Sequence, residues 1–467
     1  MAAQHENCST VSVSKILSVY PKVLHPPKLL SLSNLDRQCP ILMYLVFFYK
    51  HSHAFKDLTD HSIFSPLKTG LEETLSVWYP AAGRLSSNPD DGKLNLWCNN
   101  GGAVLVEAVT HVKISELRDL SQYNGFFENL VYKPLVNGNI SEMPLVVAKV
   151  TKFGCGGYSL GVGTSHSLFD GPAAYNFLCA WASHSNTTMK GVLERPELPT
   201  PVHERGRLLL MDNNQTPKGT LNLHKNSDSV IRVRAIDHLY QLIKQAAPHD
   251  DHDQNHDQDC VLRTFHLSGA MIENLKRKVF TEKRGTFSCS SFKVVAVHLW
   301  KARTMALGFP KERMVCLQFA VDTRTRMVPP LPKGFSGNAY VLASVAMTAG
   351  ELEEASYEAI VEKIEEAKNS VNNDYINAYV KALEGSPQAT LPPLKELTLV
   401  SDWTRVPFHK LDFLGEEAAY ASPLVTPLPQ VVYFLQNPNE SEGIDVRIGL
   451  FPQTLSAFSH CFLFNLQ

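Results

Sequence analysis

A polar stretch near the middle of the chain sets the strongest limit on how it can fold. From about Arg195 to Cys260 the apolar periodicity of buried elements fades, and the stretch ends in His249-Asp-Asp-His-Asp-Gln-Asn-His-Asp-Gln-Asp259. A low-complexity run of this kind has too little apolar surface to offset the entropy of ordering it, so it reads as an exposed crossover between two packed units. The 467 residues are about three times the usual ~150-residue domain, enough for a core on either side. The sequence therefore predicts an N-terminal domain over 1–190, a crossover over 191–260 and a C-terminal domain over 261–467.

Both sides mix strand and helix signals. In the first, Ser65-Pro66 has the form of a cap and first-turn pair before Leu67, Leu71, Leu75 and Trp78, which share one helical face; Tyr79-Pro80 ends that helix. Leu94–Cys98, Ala103–Ala108, Leu145–Phe153 and Tyr158–Ser165 are short apolar runs bounded by Gly, Asn or Pro, which is strand behaviour. In the second, Ser268 and Ser291 are placed to cap helices, and a long, weakly amphipathic stretch covers about Glu351 to Leu383. Strands follow at Val431–Leu435 and Ile444–Leu450. Helices and strands in no strict alternation give an α/β class.

Composition narrows the function. Lys+Arg 44 against Asp+Glu 46 leaves a formal charge of −2, with no basic field for a phosphate backbone, so nucleic acid is excluded as a partner. The most apolar run, Ile41–Tyr49, is far shorter than the ~20 residues of a membrane span and reads as a buried strand. No secretory leader is recognisable after Met1, and the 9 Cys lack paired Cys-x-x-Cys spacing. Both point to a cytoplasmic chain with reduced thiols and no zinc site.

The best place for chemistry is Gly161-Val-Gly-Thr-Ser-His166-Ser-Leu-Phe-Asp170-Gly171-Pro172, where a strand gives way to a helix carrying Ala174, Phe177, Leu178 and Trp181. A histidine held in such a turn can take a proton from a hydroxyl or amine near neutral pH. It can equally well pack there without chemistry, and Asp170 can be simply the helix cap. Gly157-Tyr-Ser159-Leu-Gly161 matches the G-x-S-x-G of hydrolase nucleophile elbows, but Ser159 lies inside the strand rather than at its sharp exit. The His249, His252 and His256 tract lacks the glycine and terminal acid of an EF-hand loop and reads as solvated.

The stretch from Cys155 to Gly171 resembles the H-x-x-x-D-G signature of plant BAHD acyltransferases. Further blocks agree in order: Leu32-Ser-Asn-Leu-Asp36, Tyr79-Pro-Ala-Ala-Gly-Arg-Leu85, and Val321-Asp-Thr-Arg324-Thr-Arg326 through Pro329-Pro-Leu-Pro332 to Gly334-Phe-Ser-Gly-Asn338. Ser291-Phe292, His298-Leu-Trp300 and Trp403-Thr-Arg405-Val-Pro407 through Asp412-Phe413 extend the resemblance over nearly the whole chain. Where the family has D-F-G-W-G, this sequence reads Asp412-Phe413-Leu414-Gly415-Glu416.

The resemblance implies two similar mixed-sheet domains of the chloramphenicol acetyltransferase type, joined by the long crossover, with the active-site channel between them. It implies acyl transfer from a coenzyme A thioester, as co-substrate, to a small-molecule alcohol or, less favoured, an amine, with no metal, no tightly bound cofactor and a monomeric chain. His166 would be the general base. Asp170 would face away and pair with Arg324, and Gly171 would permit close backbone approach. Ser401 and Trp403 would stabilise the oxyanion, and Asp412 and Phe413 would be structural. The changed 414–416 block also fits a non-catalytic relative of the eceriferum type that assists fatty-acyl elongation.

Overall fold

The computed structural model describes residues 10–50, 63–135, 139–190, 198–209, 233–246, 260–279, 289–385, 394–424 and 428–463; the His/Asp tract 249–259 lies outside them. In chain order, the first part contains β1 (Ser12–Val19), β2 (Lys28–Ser31), α1 (Asn34–Arg37), β3 (Leu42–Tyr49), α2 (Phe64–Val77), β4 (Arg84–Ser87), β5 (Leu94–Cys98) and β6 (Ala103–Val109). It ends with β7 (Val146–Lys152), β8 (Tyr158–Ser165) and α3 (Gly171–Lys190). After the crossover come α4 (Arg234–Ala246), β9 (Val261–Leu267), α5 (Gly269–Val279), α6 (Ser291–Leu307), β10 (Met314–Asp322), β11 (Tyr340–Thr348), α7 (Ala349–Glu354), α8 (Tyr357–Asn369) and α9 (Asn373–Ala382). The chain closes with β12 (Leu397–Asp402), β13 (Tyr420–Leu424), β14 (Val431–Asn437), β15 (Glu440–Leu450) and α10 (Pro452–Leu463).

Two mixed six-stranded sheets organise the described residues, in the orders β1-β6-β7-β8-β3-β13 and β11-β10-β12-β14-β15-β9, with a small third sheet, β2-β5-β4. The strand readings at 94–98 and 158–165 hold to the residue. Ser159 is buried mid-strand, antiparallel to Phe48, which is no place for an exposed nucleophile.

The helix starts differ from the sequence reading. α2 begins at Phe64 with no side-chain cap, so Ser65 lies inside its first turn; Ser290, not Ser291, precedes α6, again without a side-chain bond. The stretch 351–383 is three helices rather than one. Thr348, Ser356 and Asn372 each accept a backbone N–H and so start a new helix at each position.

The chain does not sort cleanly into halves. β13 pairs antiparallel with β3 of the first sheet, and Phe408, Leu411, Phe413, Leu414 and Ala418 enter the first core. Nor is the crossover exposed throughout. Val202 donates to Gly334 O at 2.9 Å and accepts from Ser336 N at 3.0 Å, and His203 and Arg205 are buried. A backbone clipped to a loop of the second domain carries its side chains inward, whatever its mean polarity.

The second sheet positions the site. Val315, Leu317, Phe319 and Val321 of β10 join the core that contains α6, while the intervening Cys316, Gln318 and Ala320 point to the opposite face. α4 covers one end of that face, where Gln318 Nε2 donates to Ala235 O (2.8 Å) and His238 Nδ1 lies 2.8 Å from Ser344 Oγ. At the other end, buried Arg447 of β15 binds the first domain, donating to Ser422 Oγ (2.9 Å), Pro423 O (2.8 Å) and Ser121 O (2.6 Å). Between these supports Ala320, near the C-terminal end of β10 and one strand in from the sheet edge, is exposed, and Tyr340, Leu342, Leu399, Ser401 and Tyr433 are half-buried. An exposed alanine on an inner strand means that the inner face is open there.

Candidate active site

His166 sits in the turn between β8 and α3, its backbone N–H held by Ile41 O at 2.8 Å. Its Nδ1 lies 3.1 Å from Asn338 Oδ1. The Asn338 amide nitrogen donates to His166 O (2.7 Å) and to Asp36 Oδ1 (3.0 Å), so its oxygen is left as an acceptor. His166 Nδ1 therefore carries the proton and Nε2 keeps the lone pair. Among the described residues no hydrogen bond occupies Nε2.

Behind Asn338 stands a second carboxylate. Asp36 is fully buried and accepts from Arg205 Nε at 2.9 Å, from Ser33 N and Oγ at 2.9 and 2.7 Å, and from the Asn338 backbone N–H at 3.0 Å. Burial alone would raise its pKa, but the Arg205 charge and these bonds outweigh it and hold the carboxyl below its usual range.

Asp170 takes both roles that the sequence leaves open. It caps α3, with Ala173 N donating to Oδ1 at 3.1 Å, and it pairs with Arg324, whose Nη1 and Nη2 lie 2.9 and 2.8 Å from Oδ2 and Oδ1. The Ala339 backbone N–H also donates to Oδ2 at 3.0 Å. Two Arg–Asp pairs thus grip consecutive residues, 338 and 339, and their guanidiniums lie 5.9 and 5.8 Å from the Phe335 ring. Arg326 points elsewhere and donates to Lys368 O and Val371 O at the end of α8. Gly171 needs correction: a Cβ placed there would meet nothing within 4 Å, so no close approach depends on it.

On the sheet side, Trp403 Nε1 donates to Ser401 Oγ at 2.9 Å. The expectation of two parallel oxyanion donors changes accordingly, because the indole N–H is spent on the serine and only the Ser401 O–H remains free to donate. Asp412 and Phe413 lie away from this chemistry. Phe413 is buried in the first core, edge-on to Trp181 at 5.2 Å, and its carbonyl accepts from Tyr158 OH at 3.0 Å. Leu414 next to it adopts φ +61°, a conformation suited to the family's glycine, with its side chain fully buried.

Sequence reasoning quoted Asp36 and Asn338 only as parts of matching blocks, and it missed Arg205 altogether. Asn338 lies two residues before the strand that begins at Tyr340, and a polar amide at such a junction was the one available signal. Among the described residues no group of three or more His, Cys, Asp or Glu is placed to hold a metal, and no helix is long and apolar enough to cross a membrane.

A protein family described as the Transferase family matches residues 10–464. Brassinosteroid-related acyltransferase 1 of Arabidopsis thaliana is 53% identical over 470 residues, covering 97% of this chain and 98% of its own length. Omega-hydroxypalmitate O-feruloyl transferase of the same plant is 30% identical over 435 residues, covering 92% and 88%. Among solved structures, vinorine synthase superposes with a TM-score of 0.71 at 19% identity, covering 97% of this chain and 98% of that one. Fusarium graminearum TRI101 complexed with ethyl coenzyme A gives 0.67 at 13%, covering 92% and 96%. At such identities these two report the fold, the two-domain α/β arrangement of the chloramphenicol acetyltransferase type.

Proposed function

Since the chain belongs to this transferase family, the plant BAHD acyltransferases, and is an acyl-CoA-dependent acyltransferase in kind, we propose that it acylates a hydroxyl group of a small molecule with His166 as the general base. The observation that carries this reading is the free Nε2 of His166, oriented through Asn338 beside an open apolar sheet face. The acceptor hydroxyl gives its proton to Nε2 as its oxygen attacks the thioester carbonyl. The Ser401 O–H, polarised by the Trp403 indole, donates to the oxyanion that forms. Collapse of this intermediate breaks the C–S bond, and His166 returns the proton to the CoA thiolate. Each step uses only these side chains and the two substrates, and Asp170, held by Arg324, exchanges no proton.

Several relatives are named for O-acyl transfer, among them the omega-hydroxypalmitate O-feruloyl transferase and a fatty alcohol:caffeoyl-CoA acyltransferase, 30% identical. They support a hydroxyl acceptor on an apolar frame for this chain. No disulfide joins the eight cysteines among the described residues, which supports a chain working in the reducing cytosol. The non-catalytic alternative rested on the changed 414–416 block, of which Leu414 packs into the first core, while the His166–Asn338–Asp36 network is built from other residues.

The test is acceptor-dependent release of CoA thiol from a panel of acyl-CoAs by the parent and by His166→Ala. Release by the parent and its loss, by about a hundredfold or more, in a folded variant is the expected result. Equal turnover by the two proteins would remove His166 as the base.

A further inference from the structure

The open inner face of the second sheet carries two phenols that make no hydrogen bond among the described residues. Tyr340, at the start of β11, has its ring 6.0 Å from that of His166. Tyr433, on β14, is the register partner of Ser401 and stands edge-on to Trp403 at 5.8 Å. Burial pushes both phenols well above their usual range, yet both keep accessible surface. A group that is deep in the protein and still accessible lies on a concave wall. Neither hydroxyl has a hydrogen-bond partner among the described residues.

The surface between them is apolar. Ala320, Leu342 and Leu399 occupy the same face, at or next to the level of Ser401. An apolar floor with a few convergent polar groups is what binds a mostly apolar ligand in a fixed orientation. Tyr340 stands on the base side of Ser401 and Tyr433 on the far side, across successive strands of the sheet. One acceptor hydroxyl at His166 would meet only one of these phenols. A second oxygen on the acceptor would give the other its partner, and a site built to hydrogen-bond a hydroxyl discriminates against a ligand that lacks it.

The geometry points to an acceptor that is an apolar molecule bearing a second hydroxyl, with the reacting hydroxyl at His166 beside Tyr340 and the second one bound by Tyr433. The inference rests on the acyltransferase reading above, since it assigns the acceptor of the same site. A neutral hydrogen bond is worth about 0.5–1.5 kcal/mol net, so the preference expected for a dihydroxy over a monohydroxy acceptor is roughly 2- to 12-fold.

The test compares 4-cyclohexylcyclohexanol with bicyclohexyl-4,4′-diol, which share one apolar frame, by calorimetric binding to the parent, Tyr340→Phe and Tyr433→Phe, with the thiol assay run in parallel. Both substitutions keep the ring, and near-UV circular dichroism with the thermal midpoint reports whether each variant is folded. The parent is expected to bind the diol several-fold tighter, and Tyr433→Phe to bring the ratio of the two dissociation constants towards one. A ratio near one in the parent, or an undiminished ratio in folded Tyr433→Phe, overturns the inference. A preference that follows the hydroxylation of the acyl donor in the thiol assay, and not that of the acceptor, overturns it as well. Absence of thiol release from the parent would count against the acyltransferase reading itself, while the binding ratio still decides the diol assignment.

Discussion

The Arg324 guanidinium grips the Asp170 carboxylate through two parallel hydrogen bonds of 2.9 and 2.8 Å, with the two side chains 19% and 5% exposed. A forked, nearly buried pair of this kind fixes position and leaves no oxygen free for proton exchange. Asp170→Asn replaces one acceptor with an NH2 that faces the guanidinium. Loss of a buried partner costs about 3 kcal/mol, somewhat less here because Arg324 keeps partial exposure. The expected result is a lower thermal midpoint together with slower transfer, because the Ala339 backbone that carries Asn338 into the site hangs on the same carboxylate. An unchanged midpoint would refute the structural role of the pair.

Ser401 and Trp403 are linked in series, the indole N–H donating to the serine oxygen. Ser401→Ala should lower kcat by about a hundredfold, the usual cost of a lost oxyanion donor. Trp403→Phe should cost less. The double variant should be no slower than Ser401→Ala, because the indole reaches the intermediate only through the serine. Independent, multiplying effects measured in the steady state would contradict the relay.

His266 bridges two carboxylates at the β9 edge, with Nδ1 2.8 Å from Asp445 Oδ1 and Nε2 2.9 Å from Glu440 Oε2. Burial alone would lower its pKa, but the hydrogen bonds and charges of Asp445 and Glu440 outweigh it and raise the value. The folded state therefore binds this proton more tightly than the unfolded chain does. The stabilisation is fully present below the ordinary histidine range near ~6.5 and is lost as pH rises through the raised folded value. Thermal unfolding followed across that range should show a downward slope that His266→Gln removes. A parallel slope in the variant would assign the effect to other groups.

Leu414 combines a fully buried side chain with φ +61°. At an ordinary buried site glycine is worse than alanine by about 0.5–1 kcal/mol, whereas a left-handed residue other than glycine carries about 1–2 kcal/mol of strain. Both Leu414→Ala and Leu414→Gly should destabilise, by roughly 2–5 kcal/mol for the lost leucine. Leu414→Gly should be no less stable than Leu414→Ala in denaturant unfolding. A glycine variant clearly below the alanine variant would mean that the backbone strain is negligible.

The buried Asp36–Arg205 pair, with both side chains 0% exposed, predicts the steepest loss. Arg205→Met leaves Asp36 charged in the interior, and a drop of about 3–5 kcal/mol is expected from chemical denaturation. Asp36→Asn with Arg205→Met, which removes both charges, should recover part of it. No recovery would show that the hydrogen bonds of Asp36, rather than its charge, carry the stability.

The sequence by itself determined what depends on neighbours in the chain. Short apolar runs bounded by turn residues placed strands at 94–98 and 158–165, and the exit from the second of these put His166 in a turn with Asp170 at the head of a helix. The Asp170–Arg324 pair was legible only through the resemblance, because 154 residues separate its partners. What orients His166 was not legible. His166 to Asn338, Asn338 to Asp36 and Asp36 to Arg205 are contacts across 172, 302 and 169 residues, and no local pattern distinguishes these partners from other polar side chains. The pairing of β13 with the first sheet and the exposure of Ala320 in the second likewise exist only once the chain has closed on itself. Local sequence sets backbone preference and which face of an element is apolar. Which distant side chains share a buried space, and which stretch of a sheet stays uncovered for a ligand, is settled by packing.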